Sequence, residues 1–321
     1  VAANADTAFS STTSLSGGAV FTVGSVSSGT ENTPADEEMS MVFGYSLDMT
    51  SSFTGEDELY VGMEAGNNDG ALSVVDSATG NGTSIEVHSV FYTFPVGDLS
   101  ITAGPLFDQD DVVAATTSAH SESFVIGSAP YSKSGEGGAG FGVSYSGDSG
   151  LSASVSYVGT GAASSSEGFN SDTATDVTTF SVGYDGDGFG GGVILTSADD
   201  DVVDAGHDSL GLGFYYSPES IPATLSVAYD STEPTASNSN PDATYLFVGV
   251  DYELGVGTLS TAFFSSEKDD DSDDTDSSGY EVSYSYPVND YVTASAGFFS
   301  VEEDTSTEDD TGVIFETAFS F

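Results

Sequence analysis

A two-residue alternation of apolar and polar side chains recurs along almost the whole chain. It is clearest in the last segment, where one set of alternate positions reads Val313, Phe315, Thr317, Phe319 and Phe321. The positions between them read Ile314, Glu316, Ala318 and Ser320. A period of two places neighbouring side chains on opposite faces of a β-strand. The alternation therefore predicts strands with one apolar face and one face that tolerates a carboxylate.

About sixteen segments show this alternation, and each is near the roughly 9–11 residues that a tilted strand needs to cross a membrane. In the fourth segment, Val87 and Phe91 are predicted to share the apolar face. A soluble β-sandwich with a dry core would show the same alternation. The pattern within a strand therefore leaves two folds open.

The lengths of the connectors decide between these folds. Seven short connectors lie at Ser51–Gly55, Pro95–Gly97, Gly147–Ser149, Asp185–Asp187, Pro218–Ile221, Glu253–Gly255 and Pro287–Asp290. Eight long ones centre on residues 30–38, 67–83, 107–138, 159–175, 198–207, 231–242, 265–278 and 301–310. Strict alternation of short and long connectors is typical of a membrane barrel with short periplasmic turns and longer external loops. We therefore predict a closed antiparallel transmembrane β-barrel of about sixteen strands, with residues 1–8 as a tail and residues 9–321 as one domain.

The distribution of charge agrees with lipid on one side of the strands and water on the other. The chain has 52 acidic and 2 basic residues, and 32 of the acids fall in the long connectors, with both lysines. A lipid-facing Lys or Arg at mid-bilayer costs about 2–4 kcal/mol, and Asp or Glu costs less. Several other acids occupy the strand face opposite the aromatic residues, which predicts an acidic pore lined by Glu58, Glu64, Glu86, Glu281 and Glu316.

Composition excludes several other classes of protein. With 38% hydrophobic and 12% aromatic residues, the chain is too apolar for a disordered acidic tail. No apolar run approaches the roughly 18 residues of a membrane helix. The net charge of -50 makes nucleic acid an improbable partner, because phosphate binding needs Lys and Arg. The three histidines are scattered, and neither G-x-S-x-G nor H-E-x-x-H occurs, so no enzyme activity is expected.

The N-terminus carries a weak export signal. Ala3, Asn4 and Ala5 look like the small residues that precede the cleavage site of a secretory signal peptide, although they also fit an ordinary small-residue tail. Together with the strand pattern, this segment predicts an exported, integral protein of the outer membrane.

Two stretches of sequence resemble the cyanobacterial outer-membrane porins. One is Ser52-Phe53-Thr54-Gly55-Glu56-Asp57, followed by Leu59 and Gly66-Asn67; the other runs from Phe94-Pro95-Val96-Gly97-Asp98 to Gly104–Asp111. The resemblance covers roughly residues 9–145 and the last strand. That family is distantly similar to carbohydrate-selective porins and implies a homotrimer. Its usual surface-layer-homology domain and coiled coil have no counterpart ahead of Leu15, so anchoring to the cell wall by that route is not expected.

The resemblance also gives roles to two segments. The terminal Phe319 and Phe321 resemble the assembly signal of outer-membrane barrels, which implies that they face lipid. The connector 107–138 is the third external loop, which in porins of this kind folds into the lumen. An acidic constriction would then contain Asp108, Asp110, Asp111, His120, Glu122, Lys133 and Glu136. The alternative is a solvated external loop.

The acidic run from Asp269 to Asp276 offers oxygen ligands for Ca²⁺ or Mg²⁺. Its spacing lacks the glycine and the closing glutamate of a calcium loop, so a solvated charge run is the stronger interpretation. A weak metal site would use Asp269, Asp271 and Asp273. No cofactor is expected beyond Ca²⁺ or Mg²⁺ bound loosely to the external loops.

The sequence therefore predicts a porin for passive diffusion of cations and small hydrophilic solutes. Outer-membrane lipid is its surroundings, and a homotrimer is its expected assembly. The alternative is a structural or surface-array barrel whose acidic loops are crosslinked by divalent cations, and such a barrel would conduct little. A sugar-specific porin is disfavoured, because the chain has no Arg and no Trp for a sugar-binding track.

Overall fold

The computed structural model describes residues 12–27, 38–67, 70–75, 82–121, 124–127, 137–162, 164–166, 168–169, 174–199, 206–235, 242–269, 275–303 and 309–321. Helical structure in these ranges consists of two short 3₁₀ turns, Gly70–Val74 and Gln109–Val112. None of the helices in the described ranges has the length and apolar character needed to span a membrane.

Sixteen strands make up almost all of the regular structure. They are β1 Thr13–Ser27, β2 Ser40–Ser51, β3 Glu58–Gly66, β4 Gly82–Val96, β5 Leu99–Asp108, β6 Gly137–Ser146, β7 Leu151–Gly159, β8 Asp176–Gly186, β9 Phe189–Asp199, β10 His207–Tyr216, β11 Ala223–Pro234, β12 Asp242–Leu254, β13 Gly257–Asp269, β14 Thr275–Asn289, β15 Val292–Glu303 and β16 Asp310–Ser320.

The strands form one closed antiparallel barrel in chain order. The closing pair joins β1 to β16, from Gly18 opposite Ser320 to Ser27 opposite Thr311. Closure removes the free sheet edges, whose unpaired backbone groups could not be satisfied in hydrocarbon. The predicted fold class and strand number are confirmed.

The connectors alternate between the two ends of the barrel, but their lengths overlap, since 270–274 among the predicted long connectors has five residues and 52–57 among the predicted short ones has six. All seven short connectors lie at one end of the barrel and all eight long ones at the other. The short connector between β12 and β13 turns at Gly255, whose φ of 72° is a conformation that side chains rarely adopt. The N-terminal tail, 1–8, lies outside the described residues.

The segment Ser52–Asp57, which resembles the cyanobacterial porins, forms the turn between β2 and β3, and Asp57 holds this turn together. Asp57 Oδ1 accepts hydrogen bonds from the Phe53 and Thr54 backbone N–H groups at 2.9 and 2.7 Å. The same oxygen accepts the Ser52 and Thr54 hydroxyls at 2.9 and 2.7 Å, and Oδ2 accepts the Tyr92 hydroxyl at 2.6 Å. The Tyr92 hydroxyl, and then the other donors, hold the pKa of Asp57 well below its usual range although partial burial opposes them.

The two faces of the barrel wall differ sharply. Large apolar side chains at alternate positions point outward and are exposed, among them Phe21, Leu151, Phe180, Leu195, Leu212, Phe263 and Phe315. The intervening positions point inward and include buried hydroxyls such as Thr22, Ser181 and Ser226. An exposed apolar band of this extent is too large for a surface in water and fits contact with lipid.

One predicted outward residue points the other way. The register of β3 and β4 shifts between the pairs of Gly62 and Met63. Val87 therefore points outward, whereas Phe91 packs inside the barrel against a cluster that contains Phe107. The prediction that both residues share the outward face is wrong for Phe91, because a β-bulge inverts the alternation between them.

Candidate functional site

The part of the connector between β5 and β6 that the structure describes lies inside the barrel. We call its described part, residues 109–121 and 124–127, the inner strap. It begins with a 3₁₀ turn in which the Asp108 N–H donates to the Asp111 carboxylate at 2.9 Å. Gln109 is fully buried and donates through Nε2 to the hydroxyls of Thr179 and Thr196, at 2.6 and 2.7 Å. The base of the strap is thus fixed to β8 and β9.

Inward hydroxyl groups bind the next part of the strap through its backbone. The Ala114 N–H lies 3.1 Å from both the Ser154 and the Ser181 hydroxyl oxygens, which belong to β7 and β8. The Ala119 N–H donates to the Ser226 hydroxyl of β11 at 3.1 Å. These bonds keep the strap against the wall along successive strands.

Two inward carboxylates bind the far part of the strap. Asp251 of β12 accepts the Ser121 N–H at 2.8 Å. Glu281 of β14 accepts three consecutive backbone N–H groups, from Phe124 at 2.6 Å, Val125 at 2.9 Å and Ile126 at 3.4 Å. Hydrogen bonds to an ionised acceptor are roughly twice as strong as neutral ones. The tip of the strap is therefore anchored more firmly than its middle.

Apolar side chains anchor the strap at three places around the lumen. Val112 packs with Phe107, Val158 and Phe91, close to the base. Phe124 joins a cluster formed by inward residues of β1, β2, β15 and β16 and by the loop after β3, namely Val26, Val42, Leu72, Val75, Phe299 and Ile314. Ile126 packs in a third cluster with Ala228, Tyr245, Phe247 and Ala262. The lumen therefore contains small cores of its own.

Inward glycines give the strap room to lie flat on the wall. We call Gly142, Gly183, Gly192, Gly213, Gly249 and Gly297 the glycine track. A Cβ added at Gly183 would lie 2.9 Å from the Ala115 Cα, and one at Gly297 would lie 2.5 Å from the Phe124 ring. At Gly213 it would collide with the Thr117 carbonyl. A side chain at any of these positions would push the strap into the lumen.

The wall formed by β2, β3, β4 and β16 carries further inward carboxylates. Inward positions of β3 and β4 hold Glu58, Glu64 and Glu86; Glu58 and Glu86 are exposed, and Glu64 lies opposite Glu86. On β2, Asp48 accepts the Tyr60 hydroxyl at 2.6 Å. Glu316 of β16 accepts the Thr22 hydroxyl at 3.2 Å.

The predicted constriction residues separate into three groups. Asp108, Asp110 and Asp111 lie together at the base of the strap, partly or fully exposed. His120 does not face the pore: its side chain is 1% exposed, and Nδ1 lies 3.1 Å from the Asp251 carboxylate, between strap and wall. Three further residues lie outside the described part of the chain, namely Glu122, Lys133 and Glu136.

The prediction that Glu281 lines the water-filled pore also needs correction. Glu281 points inward but is only 1% exposed, because the tip of the strap covers it. Its carboxylate accepts hydrogen bonds from the three backbone N–H groups of that tip. Glu281 therefore anchors the strap rather than facing the open lumen.

The remaining predicted residues lie at the ends of strands. Phe321 is 60% exposed with its ring stacked on Tyr45, and Phe319 lies 5.2 Å from Phe21, ring to ring. Asp269 ends β13, whereas Asp271 and Asp273 fall outside the described residues. Across the described part of the chain, no three His, Asp or Glu side chains are grouped as a metal ion would require.

The inward carboxylates that the sequence did not point to include Asp185, Asp230 and Asp251. Asp251 binds the strap, and Asp185 of β8 accepts the Tyr215 hydroxyl at 2.6 Å and the Thr116 hydroxyl at 3.3 Å. Asp251 occupies an inward position of a predicted strand, so the alternation in β12 was sufficient to find it. Asp185 was predicted to lie in the short connector Asp185–Asp187, whereas β8 extends to Gly186. The contact of either residue with the strap was not predictable.

The comparisons with known proteins agree on the fold. No family model and no curated protein matches the sequence. Similar solved structures include a trimer form of OmpT, an in-vitro folded outer membrane protein of Vibrio cholerae, at 12% identity and a TM-score of 0.69, covering 97% of this chain and 99% of that one. OprB of Pseudomonas putida has 12% identity and a TM-score of 0.70, with coverage of 97% and 94%.

A third similar structure is an anion-selective porin from Comamonas acidovorans, with 12% identity, a TM-score of 0.69 and coverage of 96% and 99%. At such low identity these likenesses concern the fold alone. The chain has the closed-barrel fold that these outer-membrane proteins and porins share.

Proposed function

We propose that this chain is an outer-membrane porin that passes cations and small hydrophilic solutes by passive diffusion. The observation that supports the proposal is the negative charge of the side chains that face the lumen. Inward positions hold Asp48, Glu58, Glu64, Glu86 and Asp185, and the base of the strap adds three aspartates. Within the described residues, Lys268 is the only lysine or arginine, and it lies at the loop end of β13.

An electric field from charges of one sign affects ions most strongly where the aqueous path is narrow. Carboxylates beside water and surrounded by a low-dielectric wall raise the local concentration of cations and lower that of anions. The strap narrows the path and brings Asp108, Asp110 and Asp111 to its edge. A porin of similar fold is anion-selective, so the fold does not determine which ions are favoured. The charges in the lumen are therefore the basis for the proposed selectivity of this chain.

Three further features of the proposal follow from the same reasoning. The exposed apolar band places the barrel in outer-membrane lipid. A homotrimer is in keeping with the trimer form of OmpT. From the resemblance of residues 52–57 and 94–111, we propose a cyanobacterial origin. The first of these segments is the turn that Asp57 stabilises.

The test is the zero-current potential of the reconstituted full chain across a KCl gradient. We expect a potential close to that of a cation-selective membrane. The triple variant Asp108→Asn, Asp110→Asn, Asp111→Asn should reduce it. A matched control neutralises three exposed acids at the loop end of the strands, Glu267, Asp269 and Glu302.

The two variants should differ most in concentrated salt. The Debye length falls to about 3 Å at 1 M salt, so outer charges lose their effect while those beside a narrow path keep it. Anion preference in the native channel, or equal effects of both triple variants at 1 M KCl, would contradict the proposed filter. A barrel that inserts but conducts nothing would instead favour the structural function.

A further inference from the structure

A cavity of about 510 Å³ lies under the strap, at the short-turn end of the lumen. Its upper wall is formed by Ala119 and Ser121 of the strap, and its floor by the turn 217–222. Inward residues of β11, β12 and β13 close its side. A volume of a few hundred cubic ångströms is that of a typical small-molecule site.

The polar part of the lining consists of carboxylate and hydroxyl groups, with no Lys, Arg or His among the lining residues that the structure describes. Asp251 contributes its charge, but both of its oxygens already accept hydrogen bonds, from Ser260 and from the strap. The carboxylates of Glu219 and Glu253 are exposed, and neither has a hydrogen-bond partner among the described residues. The hydroxyls of Ser217 and Thr224, 2.7 Å apart, stand beside them.

The rest of the lining is apolar. Pro218, Ile221 and Pro222 of the turn form one side of the cavity. An ammonium group offers three hydrogen-bond donors and a positive charge, which suit carboxylate and hydroxyl acceptors. A short alkyl chain attached to it would cover the proline and isoleucine side chains.

We propose that this cavity is a binding site for primary alkylammonium ions on the path through the barrel. The inference rests on the proposed function, and it names one class of solute and the end of the pore where that solute pauses. Glu219 and Glu253 provide the acceptors, and Asp251 adds negative charge from behind. Because the strap forms the roof, the site opens toward the short-turn end.

The experiment measures block of the K⁺ current by n-butylammonium, added to one side of a planar bilayer at a time. Block from the short-turn side should require a lower concentration than block from the loop side. The variant Glu219→Gln, Glu253→Gln should weaken that block by about tenfold for each charge-assisted hydrogen bond lost. Asp290→Asn is the matched control, since Asp290 is an exposed carboxylate in another short turn, away from the cavity lining.

Calorimetric titration of the full chain in detergent with n-butylammonium gives a readout that needs no conduction. Binding to the native chain that weakens in the double variant and persists in the control supports the site, even in a barrel that fails the KCl test. Equal block from the two sides, or a dissociation constant that the double variant leaves unchanged, overturns it. If either of those results occurs while the channel remains cation-selective in KCl, the proposed binding site is wrong and the proposed porin function is unaffected.

Discussion

Glu281 offers the most direct test of how the strap is held. In Glu281→Gln, one oxygen remains to accept an N–H, the negative charge is lost, and an NH₂ group faces backbone donors. Hydrogen bonds to a charged group are worth about 1.5–3 kcal/mol each. Three such bonds end on this buried carboxylate. Losing the charge and weakening two of the bonds should therefore cost about 2–4 kcal/mol of anchoring free energy.

This loss of anchoring free energy raises the fraction of molecules in which the strap is displaced from the wall. A difference of 2–4 kcal/mol corresponds to a change of about 30-fold to 1,000-fold in the ratio of displaced to docked states. Single-channel recording should therefore show frequent steps between conductance levels and increased open-channel noise in Glu281→Gln. Glu281→Leu, which removes both acceptor oxygens of this side chain, should show a larger effect.

The matched control for this experiment is Glu316→Gln. It removes one inward carboxylate that accepts the Thr22 hydroxyl and that is not the acceptor of the three N–H groups at the tip of the strap. We expect Glu316→Gln to alter ion selectivity slightly with native noise. Heat-modifiable migration on gels verifies that each barrel is folded. A folded Glu281→Gln channel as quiet as the native one would refute the anchoring role.

Three further outcomes follow from the structure. The pKa of Asp57 is lowered in the fold, so its stabilising contribution is complete above the ordinary value of about 3.9 and is lost as the pH falls below it; Asp57→Asn should flatten that acid limb in thermal unfolding measured against pH. Gly213→Ala should displace the strap and increase channel noise, whereas Gly127→Ala, whose added Cβ meets nothing within 4 Å, should not; equal noise in both would contradict the glycine track. Deletion of Phe321 should lower the yield of heat-modifiable, membrane-inserted protein, and an unchanged yield would count against its role in assembly.

The barrel was predictable because its determinants are local. Period-two alternation and connector length are written in the sequence, and they gave the strand number and closure correctly. The failure at Phe91 has a local cause that the alternation cannot show, since a β-bulge adds a residue without a distinctive side-chain signal. Strand faces are thus readable except where the register shifts.

The site was less predictable because it depends on contacts between distant residues. The position of Glu281 on the inward face was readable, but its burial depends on Phe124, which lies 157 positions away in sequence. His120 is hidden for the same reason, between the strap and Asp251. Net charge predicts the sign of a lumen, whereas it cannot tell which carboxylates meet solutes and which hold a loop.

The donors that dock the inner strap belong mainly to its backbone. Ala114, Ala119, Ser121 and the residues at its tip bind the wall through N–H groups that every amino acid except proline possesses. Strap side chains other than the buried Gln109, Val112, Phe124 and Ile126 are therefore freer to diverge during evolution than the wall positions that receive the strap. Under the proposed function, a lineage could change what the pore admits through those strap positions alone. The same separation makes the strap a convenient segment for engineering new permeability into an otherwise fixed barrel.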